Sequence, residues 1–109
     1  MTSIEILTTY LTLSELTDTM LDAARQDEWD HLAILEQRCQ RYVGELMQAT
    51  PVQMSSDEQR AKIEIIRGIL QNDAQIRALT EPHMHALQQR LHSTRIAQRS
   101  IQAYGERPA

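Results

Sequence analysis

Apolar residues recur along this chain at spacings of three and four, the period of a helix with one buried face. In the first segment, Ile4 to Arg25, the positions Ile6, Tyr10, Leu13, Met20 and Ala24 keep that spacing, and Leu7, Leu11 and Leu21 widen the stripe. Thr2 or Ser3 can cap its start. The acids of Asp27-Glu28-Trp29-Asp30 suit the first turn of a second helix, with Asp27 as its N-cap. That helix carries Trp29, Leu32, Leu35, Cys39, Val43 and Leu46, and it ends near Thr50-Pro51. A join of only one or two residues around Gln26 predicts a tight helical hairpin. Pro51 to Ser55 reads as a loop, and Ser55 with Glu58 as a capping box that opens a third helix. Thr80-Glu81-Pro82 is a further cap signature, so a fourth helix is expected, either separate or continuous with the third through a kink at Pro82. It would carry Met84, Leu87, Leu91, Ile96 and Ile101, and residues 106–109 are expected to be disordered.

Helix three has more apolar surface than an ordinary core stripe. At about 100° per residue, Ile65, Ile69, Ile76 and Leu79 fall within a sector of about 80°. Ile63, Ile66 and Leu70 occupy a neighbouring sector, bringing the apolar arc to about 200°. A bundle helix needs little more than about 100°. The surplus faces either the fourth helix, through Met84, Leu87 and Leu91, or a partner helix laid in the groove.

Composition supports an all-helical chain. Its 109 residues hold 3 Gly, 3 Pro and no Phe, too few turn formers for a sandwich, a barrel or a βαβ fold. The expectation is an all-α, antiparallel bundle of three long helices plus the C-terminal fourth, in one domain over residues 1–109. No apolar run or signal-like leader points to membrane insertion or secretion, and a single cysteine points to no disulfide, so the cytoplasm is the expected compartment. Charge is uneven. Residues 1–54 hold nine acids and three bases, whereas 55–109 hold six acids and eight bases.

The chemistry of sites is sparse. His83 and His85 are two residues apart and diverge on a helix, and His92 is two turns from His85, so the three do not make a metal site. Cys39 falls on the apolar stripe of helix two, as a small buried hydrophobe would. There is no phosphate-binding glycine loop and no nucleophile motif. Arg90, Arg95, Arg99 and Arg107 form a weak nucleic-acid footprint on a chain of net charge −4. The expectation is a non-enzyme without cofactor, metal or nucleic-acid partner.

Three patches resemble a known family. Met20-Leu21-Asp22-Ala23-Ala24-Arg25-Gln26-Asp27-Glu28-Trp29-Asp30-His31-Leu32 is similar to the helical junction of the FliT family of flagellar type III export chaperones, with Gln26 where a glycine commonly ends helix one. Ile66-Arg67-Gly68-Ile69-Leu70-Gln71-Asn72-Asp73-Ala74-Gln75-Ile76 resembles its third helix, and Ala103-Tyr104-Gly105 its C-terminal pattern. The resemblance implies a cytoplasmic chaperone that binds the filament cap protein, prevents premature self-association and delivers it to the export ATPase complex. By position it implies partner contacts through Ile66, Leu70 and Arg77, with Asp73 and Ile63 on the same side, and a regulatory cover from the last helix, where Met84, Leu87 and Leu91 lie. Some relatives also bind and inhibit the master flagellar transcription activator. An anti-activator acting through the basic last helix, and a purely structural helical module, are the competing readings.

Overall fold

A computed structural model describes residues 1–105, with side chains as far as Arg99. The elements are α1 (Ser3–Arg25), α2 (Trp29–Gln48) and α3 (Ser56–Gly105), and no strand occurs among the described residues. The chain divides into two compact units, Met1–Ala78 and Leu79–Ala109. The expected disorder of 106–109 lies outside the described residues.

The first unit is built on the α1–α2 hairpin. Thr2 caps α1, its Oγ1 accepting from the Glu5 backbone N–H at 3.2 Å. The other end of α1 closes differently from the sequence expectation. Asp27 is not the N-cap of α2; it takes a left-handed conformation, φ 58°, just past the C-cap Gln26. The Glu28 N–H donates to the Ala23 carbonyl at 2.9 Å and the Asp27 N–H to the Ala24 carbonyl at 3.3 Å. These two bonds define a Schellman motif, in which the left-handed position is usually glycine. Aspartate tolerates that conformation better than most residues, so the turn closes without one. Glu28 takes over as N-cap of α2 and makes no side-chain capping bond. Asp27→Gly should therefore stabilise the protein by about 0.5–1 kcal/mol, read as a higher urea midpoint at unchanged slope.

The core gathers beside this turn. Met20, Leu21, Ala23 and Ala24 from α1, Leu32 and Leu35 from α2, and Ile76 from α3 form one buried cluster. Leu16, Trp29 and Cys39 pack against it, partly buried. Leu11 and Val43, expected on the apolar stripes, are exposed. Thr9 and Thr17 are buried in α1 instead. Each satisfies its hydroxyl within its own helix, Thr9 by donating to the Glu5 carbonyl at 2.8 Å and Thr17 to the Ser14 carbonyl at 2.9 Å. The outer methyl is then free to pack.

Polar clamps fix the first part of α3 against α1. The Ser3 hydroxyl contributes to the lowered pKa of the Glu58 carboxyl. Asn72 donates to Thr17 Oγ1 at 3.1 Å and to Asp18 at 2.7 Å, and Arg25 donates to Gln75 at 3.0 Å. The partners advance together along both helices, so this part of α3 runs parallel to α1. The predicted capping box is present: Ser55 N–H donates to the Glu58 carboxylate at 3.0 Å, and Glu58 N–H to Ser55 Oγ at 3.1 Å.

These bonds, led by that from the Ser55 backbone, hold the Glu58 carboxyl below its ordinary pKa. A depressed carboxylate favours the fold at neutral pH, and that contribution fades as pH falls through the folded-state value. Ser55→Ala removes the hydroxyl acceptor and loosens the box. The Glu58 titration midpoint, followed by NMR, should move up toward the usual carboxylate value.

The expected fourth helix, and the alternative of a kink at Pro82, are not supported. α3 continues through Pro82 to Gly105. Proline removes one helical N–H donor, the partner of the Ala78 carbonyl. Ala78 and Pro82 are both exposed, so water can serve that carbonyl.

Candidate partner-binding face

α3 turns two kinds of aliphatic surface outward and inward within its first six turns. Ile76 is buried in the core, and Ile65 and Ile69 are half-buried on the same side of the helix. Ile63 and Leu70 stand on another side, 52 % and 62 % exposed, with half-buried Ile66 between them. Side chains of this size left so open are surface available for contact.

The face has charged borders. Asp73 and Arg77, one turn apart, form an ion pair with both side chains well exposed. Glu64 and Arg67 form another, at 3.0 Å. Arg67 lies four residues after Ile63 and three before Leu70, so it edges the same strip. The apolar-arc reading singled out only aliphatics; the same spacing rule applied to polar residues finds Arg67. Such exposed pairs contribute little to stability. They place charged groups beside an apolar strip.

Met84, Leu87 and Leu91 belong to the second unit and are also exposed. They extend α3 itself rather than form a separate helix.

No reactive centre emerges from the other candidates. The Cys39 thiol donates to Met20 Sδ at 3.4 Å. Burial, with Glu36 nearby, pushes its pKa up, which disfavours the thiolate needed for nucleophilic chemistry. His85 pairs with Gln89 at 3.1 Å, and His31 with Glu28 at 3.3 Å. Among the described residues, no three His, Cys, Asp or Glu side chains group to hold a metal ion. Nor, among them, is any helix long and apolar enough to cross a membrane.

The family model "Flagellar protein FliT" matches residues 7–106. Among solved structures, the chain is similar to the crystal structure of flagellar protein FliT from Bordetella bronchiseptica, with 27% identity and a TM-score of 0.68 over 77% of this chain and 96% of that one. No significant match occurs among curated protein sequences.

Proposed function

This chain belongs to the FliT family of flagellar proteins, and from that premise we propose that it is an export chaperone for the filament cap protein. Membership carries a flagellar chaperone role; the client and its delivery to the export ATPase complex are our reading. The observation that carries it is the open aliphatic strip of Ile63, Ile66 and Leu70 on α3.

An amphipathic segment of the client lays its apolar side on this strip. Asp73 and Arg77 at one end pair with its flanking charges and set its register. A segment held in this way has no apolar side left for another copy of itself. The cover expected of Met84, Leu87 and Leu91 then requires α3 to open between Leu70 and Met84. Pro82, lacking an N–H, weakens the helix within that interval. Opening would cost part of the binding energy and make client affinity adjustable.

Leu70→Asp and Ile66→Asp should each abolish binding of purified cap protein in calorimetry, while the single tryptophan, Trp29, still reports a cooperative melt. Leu70 is the cleaner site because its exposure leaves folding little affected. Unchanged affinity in both variants would remove this strip as the client site.

A further inference from the structure

A second apolar strip lies fourteen residues beyond Leu70, within the unit that begins at Leu79. Met84, Leu87 and Leu91 are 53 %, 38 % and 58 % exposed. Their spacing of three and then four is the a–d–a pattern of a coiled-coil seam. At about 100° per residue they share a sector of about 60°. Arg90 and Arg95 take the flanking g and e positions, on opposite sides of that sector, and both are exposed. Between Pro82 and Gly105 the sequence holds Arg90, Arg95 and Arg99 and no Asp or Glu.

These charges select the occupant. A parallel pair of these strips sets Arg90 of one copy against Arg95 of the other. An antiparallel pair that stacks Leu87 on Leu91 sets Arg90 against Arg90 and Arg95 near Glu81. Like charges meet on both edges of the parallel pair and on the Arg90 edge of the antiparallel one, which counts against a second copy. A membrane surface is poorly matched, since residues 79–99 contain no Trp, Tyr or Phe to anchor in the interface. Nucleic acid would engage the arginines and leave the apolar seam unused.

We propose that residues 84–95 of α3 are a docking strip for a partner helix whose apolar seam is flanked by Asp or Glu. Met84, Leu87 and Leu91 supply the seam, and Arg90 and Arg95 pair with the acids on its two edges. The strip is distinct from the Ile63–Leu70 face; a seam that holds this partner is not serving as the cover, and the proposal stands without the client reading. Charge selects the partner and the apolar seam holds it.

The test uses the full chain and two synthetic helical peptides of four heptads, both with Leu at a and d. One carries Glu at e and g, the other Lys. In calorimetric titration the Glu peptide should bind, and the Lys peptide should be weaker by roughly tenfold or more. Leu87→Asp should weaken the Glu peptide by roughly tenfold or more, with the Trp29-monitored melt unchanged. Leu91→Ala, which keeps helix propensity, should weaken it in the same direction should Leu87→Asp unwind the segment. The double variant Arg90→Glu, Arg95→Glu should reverse the preference between peptides, while Leu70→Asp leaves it intact. Equal binding of the two peptides, or a preference that survives charge reversal, overturns the proposal. So does a dimer in sedimentation that Leu87→Asp dissolves, or binding of duplex DNA or anionic vesicles without binding of the Glu peptide.

Discussion

Ile76→Asp should cost about 4 kcal/mol or more and leave the protein largely unfolded near room temperature. The change removes a buried aliphatic side chain, worth about 2–5 kcal/mol when cut to a methyl, and adds a carboxylate to an apolar site. Ile76 is 7% exposed and is the contribution of α3 to the buried cluster. Leu70, six residues earlier on the same helix, is 62% exposed, and Leu70→Asp should lie within about 0.5 kcal/mol of the parent. Paired urea melts by far-UV circular dichroism and Trp29 fluorescence read both variants. Coincident transitions in Ile76→Asp mean that α3 unfolds with the hairpin. Helicity lost ahead of the Trp29 signal would show that α3 is held separately. Similar stabilities for the two variants would contradict the two-sided reading of α3 outright.

Leu35→Ala is the second large effect, a loss of about 3 kcal/mol. Leu35 shares the cluster with Ala23 and Ala24 of α1, small residues that leave little material able to move into a vacated space. A site that collapses poorly lies toward the upper part of the range for such truncations. The urea midpoint should fall with the slope preserved. A loss under about 1 kcal/mol would mean that α1 and α2 close over the gap.

Local chemistry explains which features could be read from sequence. Ser55 and Glu58 satisfy each other's backbone donors across three residues, so their box is legible without tertiary information. The hairpin was legible for the same reason, since two apolar stripes with almost nothing between them must fold back. The conformation of Asp27 was not. Aspartate suits both a helix N-cap and a left-handed turn, and only the carbonyls of Ala23 and Ala24 decide between them. Thr9 and Thr17 do not stand out in the hydrophobic pattern because a hydroxyl reads as polar, although a bond to its own helix lets the residue pack as an aliphatic. Pro82 suggested a break because the rule against interior proline is strong. That rule is weaker where the orphaned carbonyl can reach water, as at exposed Ala78. The surplus of aliphatic positions on α3 was legible from period alone. What occupies it was not, because a partner leaves no mark on a helix beyond the face it needs.

The placement of the buried cluster has a kinetic consequence. Its members lie between Met20 and Leu35, with Ile76 alone from α3, whereas residues 84–99 are exposed throughout. Deuterium uptake should therefore be graded. Amides of the last α1 turns and the first α2 turns should open only with global unfolding, and those of residues 84–99 should exchange through local fraying, orders of magnitude sooner.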